Sequence, residues 1–248
     1  MAAQPTPDSK VADLGKDAVD DATPVANRIR ERIRKARGRF RANDNIAAYI
    51  EPGEIDALTQ EVAERVAAVL ESLVIDTEND HNTRETGLRV ARMYVGEVFA
   101  GRYSPAPDLT AFPNVTSYDE LYLVGPVTIR STCAHHLQNI RGNCWIGIYP
   151  GKNVLGLSKF YRLTEWIAAR PQIQEEMTIQ IADLVETETA AEGVAVVVKA
   201  EHMCVTHRGV REHASDMTTS VLRGKLRDNP DTRAEFFRLL QGMKGFGA

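Results

Sequence analysis

Apolar residues recur along most of the chain at the spacing of elements that bury one face. Ile55, Leu58, Val62, Val66, Val69, Leu70 and Leu73 follow Pro52 at helical intervals, and residues 91–99 repeat the pattern, which predicts packing helices. Residues 121–132 and 144–149 are rich in branched and aromatic side chains and predict two antiparallel strands. Cys144 alternates there with Ile146 and Ile148, so it is read as a small buried hydrophobe. Two consecutive helices come next. The first carries Leu163, Trp166 and Ile167 behind Ser158 as its N-cap; the second is opened by Pro171 and buries Ile173, Met177, Ile181 and Leu184. Residues 194–205, after Gly193, and 218–222 complete the set as strands. This order is that of an α+β fold, and no internal repeat interrupts it.

The N-terminal region breaks the pattern. Residues 1–26 are rich in Ala, Asp and Pro without periodic apolar positions, a composition that predicts disorder. Residues 28–41 are strongly basic and are read as a solvated arm, with contact to nucleic acid or an anionic membrane as the alternative. The 248-residue chain is 43% hydrophobic, enough for a sizeable core, and has no apolar run of membrane-spanning length, so a soluble protein is expected. Three cysteines and no leader-like N-terminus speak against secretion and a disulfide framework, and for the cytoplasm. The formal charge of −4 supplies no overall field for a polyanion, so positive charge must be concentrated locally. Lys159 and Arg162, in the first turns of the helix behind Ser158, are such a concentration; they suit a phosphate group and equally a solvated helix face.

The chemistry concentrates in Cys133-Ala134-His135-His136 and His202-Met203-Cys204, which hold two of the three cysteines and three of the six histidines. Two thiolates and an imidazole make a three-ligand Zn²⁺ site that keeps a fourth position for water, the arrangement of a catalytic zinc. If residues 194–205 form one strand, its period of two sends His202 and Cys204 to the same face. Adjacent histidines cannot easily both bind one ion, so one ligates while the other is free for proton transfer. His81, His207 and His213 have no comparable partners and are read as surface residues.

Four spaced motifs then resemble the GTP cyclohydrolase I family: Ser131-Thr132-Cys133-Ala134-His135-His136, Val154-Leu155-Gly156-Leu157-Ser158-Lys159, Arg170-Pro171-Gln172-Ile173-Gln174-Glu175, and Glu201-His202-Met203-Cys204 followed by Arg208-Gly209-Val210. The resemblance runs from about residue 54 to 240 and includes Thr86-Gly87-Leu88-Arg89-Val90-Ala91-Arg92-Met93-Tyr94. It implies conversion of GTP to 7,8-dihydroneopterin triphosphate with release of formate, the entry to folate and pterin synthesis. Cys133, His136 and Cys204 would hold Zn²⁺, which readies water for attack on guanine C8. His135 and His202 would move protons. Glu175, with the backbone around Gln174, would recognise the guanine edge, and Ser158, Lys159, Arg162, Arg208 and Arg89 would hold triphosphate and ribose. The implied architecture is the tunnelling fold, in which subunits join their sheets into a ring and assemble as a homodecamer with interfacial sites, so that Arg89 serves a neighbouring chain. The implied division is a disordered tail with its basic arm over 1–45, a helical region over 46–110 and a catalytic domain over 111–248. Two positions depart from the family's usual residues: Ala134 stands where Glu is usual, and Gly87 where Pro is usual. A weakened homologue that only holds nucleotide or zinc, and a nucleic-acid-binding protein acting through the arm, are the competing readings.

Overall fold

In the computed structural model, which describes residues 23–246, the basic stretch is a helix with a buried face. Val25, Ile29 and Ile33 of α1 (Val25–Lys35) form an apolar stripe packed with Ile46 and with Leu58 of α2 (Glu54–Ser72). The arginines between them are partly spent on ion pairs. Arg28 and Arg32 both reach the buried carboxylate of Glu54, Arg32 also approaches Glu51, and Arg39 pairs with Asp44. The expectation of a solvated arm over 28–41, and of a tail reaching residue 45, is therefore corrected: arginine stems screen an apolar stripe that low mean hydropathy conceals. Residues 1–22 of the expected tail lie outside the described residues.

Helix α3 (Thr86–Met93) packs against α2, and a π-turn over Tyr94–Val98 carries it towards α4 (Ala100–Tyr103). Gly87 sits at the crossing, where a Cβ would stand 2.7 Å from the carbonyl oxygen of Ala63; the two helices approach too closely for a larger residue without a shift. The apolar series expected to pack along α2 is used except at its C-terminal end, with Ile55, Val62, Val66 and Leu70 half-buried. Leu58 is buried, whereas Val69 and Leu73 are exposed in the single chain.

After β1 (Ala111–Pro113), β2 (Tyr122–Cys133) and β3 (Asn139–Tyr149) form a long hairpin. Next come β4 (Asn153–Leu155), α5 (Leu157–Ala168), β5 (Pro171–Gln172), α6 (Gln174–Thr189), β6 (Gly193–His202), α7 (Met203–Thr206), β7 (Met217–Gly224), α8 (Lys225–Asp228) and α9 (Pro230–Gln241). The five-stranded sheet has the order β5-β2-β3-β6-β7, antiparallel except for β5, which runs parallel to β2; β1 and β4 pair separately. Alternation along the strands assigns the faces. Ile129, Cys144, Ile146, Val196 and Val198 meet Phe160, Leu163, Met177 and Ile181 of α5 and α6, while Trp145, Ala195 and Val197 meet Phe236 and Leu240 of α9. This is the expected α+β layering. Beyond α9 the second face turns polar, with Arg130, Arg141, Lys199 and Glu201 on neighbouring strands.

Three local expectations are corrected. Ser158 is the second residue of α5 rather than its cap; Gly156 takes the cap position. Pro171 does not open α6, because its backbone is used in β5 and the helix begins at Gln174. The strand expected over 194–205 stops at His202, where the chain winds into α7, so Cys204 lies on a helical turn and not on the strand face shared with His202. Among the described residues no helix is long and apolar enough to cross a membrane.

Candidate metal centre and active site

Strand β2 ends at Cys133, and the chain reverses through 134–138 into β3. The reversal is closed by Leu137 N–H donating to Cys133 O (2.9 Å) and Cys133 N–H donating to Gln138 O (2.7 Å), with Leu137 at φ 52°. His135 and His136 are thereby lifted to the exposed tip while Cys133 stays buried at the base. From the far side of β3, β6 ends at His202 opposite Ile140, and the α7 turn brings Cys204 over the hairpin base. Glu201 holds that turn: its carboxylate accepts from Thr206 Oγ1 (2.8 Å) and Arg141 Nε (2.9 Å), and these bonds hold its carboxyl below the usual range.

Cys133, His136 and Cys204 therefore converge, with their ligand atoms all within 4.8 Å of one another. In a tetrahedral site with zinc–sulfur bonds of about 2.3 Å, two ligand sulfurs stand about 3.8 Å apart. Closure of less than about one ångström would complete the set, so these residues fit a thiophilic divalent ion. One flank is buried and the histidine flank is exposed, which leaves an open side for water or substrate. The Cys204 thiol is pushed up by burial and by the adjacent Cys133. Cys144, by contrast, is fully buried in the core and its thiol is pushed far up, consistent with a packing role.

His135 Nδ1 stands 3.9 Å from Cys133 Sγ, beside the cluster. His202 Nε2 lies 2.7 Å from Gln174 Oε1, and burial depresses the imidazole's pKa, opposed in part by the Glu175 carboxylate nearby. Only the backbone around Gln174 is expected at the substrate, and its side chain is fully buried, with Nε2 donating to Val198 O (3.1 Å), Met217 O (2.9 Å) and Thr219 Oγ1 (3.1 Å). Glu175, next along α6, is exposed. Arg208 lies close enough to Cys204 to favour its thiolate.

The remaining expected contacts are not tied to this cluster by any hydrogen bond or ion pair. Ser158 and Arg162 are exposed on the first turns of α5, and Lys159 donates from Nζ to Asp108 O (2.8 Å). Arg89 is exposed on α3 and pairs with Glu85. A cavity of about 690 Å³ flanks the centre, lined by Thr132 and Met203, neighbours of two ligands, and by Arg130, Arg141, Tyr161 and Glu165; none of the expected substrate contacts lines it. The side-chain part of Gln174, the Glu201 brace and the contact of Ala134 N–H with Gln172 O (2.9 Å) were not foreseen, and only Glu201 carried a local signal, its hydroxyl partner five residues ahead.

The family model described as GTP cyclohydrolase I matches residues 62–241. GTP cyclohydrolase 1 of Aeromonas salmonicida is 39% identical over 187 residues, which cover 75% of this chain and 84% of that protein. The protein of the same name from Haemophilus ducreyi is 39% identical over 186 residues, 75% of this chain and 85% of its own. Among solved structures, an archaeosine synthase QueF-Like in the apo form aligns with a TM-score of 0.32 at 15% identity, over 49% of this chain and 96% of that one.

Proposed function

Because the chain belongs to the GTP cyclohydrolase I family, we propose that it hydrolyses and rearranges GTP to 7,8-dihydroneopterin triphosphate, releasing guanine C8 as formate. The observation that carries this reading is the convergence of Cys133, His136 and Cys204 from two distant segments into one three-ligand cluster with an open side. Zn²⁺ suits two thiolates and an imidazole, and when bound it supplies Lewis acidity that makes hydrolysis practicable near neutral pH.

The protein's own groups account for the rest. His202, kept neutral by burial and held at Nε2, presents its other nitrogen for proton transfer; His135, beside Cys133 at the exposed tip, is the second proton carrier. The exposed Glu175 carboxylate is an acceptor suited to the guanine ring and amino N–H groups. Arg208 beside Cys204, with Ser158, Lys159 and Arg162 on the first turns of α5, supplies donors for the triphosphate.

We further propose a homo-oligomer of the tunnelling type, a decamer, with sites completed between subunits. Strand β7 forms one edge of the open sheet, and β5 covers β2 at only Thr132 and Cys133, which leaves both edges able to pair with another copy. The exposed Val69 and Leu73 and the distant Arg89 accord with neighbours of that kind. Incubation of zinc-loaded protein with GTP, followed by oxidation, should yield fluorescent neopterin and formate. Absence of both products under saturating zinc would overturn the enzyme reading in favour of a binding module.

A further inference from the structure

Asn43 lies outside residues 62–241, the part of the chain matched by the family model, yet it is one of the few polar residues buried in the core. It reaches from the segment behind α1 to the elements that carry the centre. Its Nδ2 donates to Gln172 Oε1 (3.2 Å) on β5 and to Glu176 Oε2 (2.6 Å) in the first turn of α6. Its own carbonyl accepts from Arg170 Nη1 (3.1 Å). Arg170 is itself buried, with Nε donating to Gly101 O (3.0 Å) and its guanidinium over the Trp166 ring at 4.0 Å. Asn43 is thus held at its backbone and spends its amide on two acceptors belonging to different elements.

Those two acceptors lead to the two halves of the site. The backbone carbonyl of Gln172 accepts from Ala134 N–H, the amide between Cys133 and the histidine pair, while its side-chain Nε2 is anchored on Ile167 O (2.7 Å) and Gln180 Oε1 (3.1 Å). Glu176 follows Gln174, which holds His202, and Glu175. We propose that Asn43 is a positioning residue that sets the metal-ligand loop at a fixed angle to the first turn of α6, and so sets Cys133 and His136 against His202 and Glu175. The inference rests on the metal-centre reading above. Its physical basis is that Asn43 and Gln172 are both buried, so parting them strands polar atoms away from water, while the exposed Glu176 carboxylate ties α6 to the same amide by a charge-assisted bond.

Cobalt(II) titration of the full-length apoprotein tests this, since thiolate-to-cobalt absorption reports the ligand geometry without GTP turnover. Asn43→Ala is expected to weaken cobalt affinity about 10-fold, the low end for partners that orient metal ligands, and to alter the visible spectrum. Asn43→Asp preserves the volume but turns a carboxylate towards two acceptors, and is expected to weaken cobalt binding similarly. Adding Glu176→Gln to Asn43→Asp restores a donor–acceptor pair in the reverse sense and is expected to recover affinity. Ile29→Ala, which loosens α1 without touching the network, should lower Tm and leave cobalt binding unchanged. Cobalt affinity within about twofold of wild type in both single Asn43 variants, or a loss in Ile29→Ala equal to theirs, would overturn the inference. A wild-type protein without any thiolate-to-cobalt band would overturn the metal reading itself, and this inference with it.

Discussion

Gln174 Oε1 accepts a hydrogen bond from His202 Nε2 across 2.7 Å, and the rest of the glutamine's surroundings fix that direction. The amide nitrogen of Gln174 faces two backbone carbonyls and a threonine hydroxyl, so the atom left for His202 is an acceptor only. Neutral His202 must then carry its proton on Nε2 and keep a lone pair on Nδ1. One buried side chain thereby ties the tautomer of His202 to the packing of β6 and β7.

Loss of His202 should cost turnover on the scale of a general acid–base group, about 10²- to 10⁴-fold. Gln174→Ala should forfeit part of that and also strand the Val198 and Met217 carbonyls, at a stability cost of about 1–3 kcal/mol. Because the two residues act through one contact, the double variant should be scarcely less active than His202→Ala alone. Fully additive losses in steady-state kinetics would break the link between them.

The ligand cluster predicts unequal roles for neighbouring histidines. Wild-type protein should carry about one Zn²⁺ per chain, and Cys204→Ser and His136→Ala should lose both metal and turnover. His135→Ala should keep the metal and lose activity. Elemental analysis alongside the neopterin assay separates the cases; equal metal loss in the two histidine variants would show that His135 shares the ligand role.

Ala134 borders a small pocket of about 170 Å³, lined also by Arg41, Ala42, Asn43, Pro171, Ile173 and Glu176. The space can take a longer side chain, with Arg41 of opposite charge and Glu176 of like charge on its wall. Ala134→Glu should raise zinc retention or turnover by about 10-fold, the scale of a partner that orients a metal ligand. A lowered Tm with unchanged metal affinity and rate would show that the pocket is not where such a partner acts.

Removal of residues 1–41 should destabilise the protein, in contrast to what a solvated arm implies. The deletion takes away the buried stripe of α1 and leaves the Glu54 carboxylate, which is nearly enclosed, without Arg28 and Arg32. Ile33→Ala alone should cost about 2–5 kcal/mol, the usual range for emptying a buried isoleucine site. Denaturant unfolding of both variants provides the measurement, and a deletion variant as stable as the full chain would return α1 to the status of a detachable arm.

Much of the element order could be read in the chain because helix and strand periodicity are local properties: the alternation of Cys144, Ile146 and Ile148 and the runs ending at Cys133 and near His202 appear as strands within a few residues of where they were expected. The Cys133, His136 and Cys204 cluster was legible for a related reason, since a group able to hold a metal needs particular residue types and these stand in two short segments. What the sequence could not decide depends on partners far away along the chain. The stripe of Val25, Ile29 and Ile33 is interleaved with arginines, and only contact with α2 gives those charges carboxylates to meet. Gln174 looks like any polar residue at a helix start until β6 and β7, 24 and 43 residues away at the contact atoms, bring carbonyls to its amide. Asn43 meets Gln172 across 129 residues of chain, and a hydrogen bond at that range leaves no periodic trace. Local pattern chose the elements and the ligand chemistry; burial of polar groups against distant backbone decided how the ligands, the histidines and the N-terminal segment are held together.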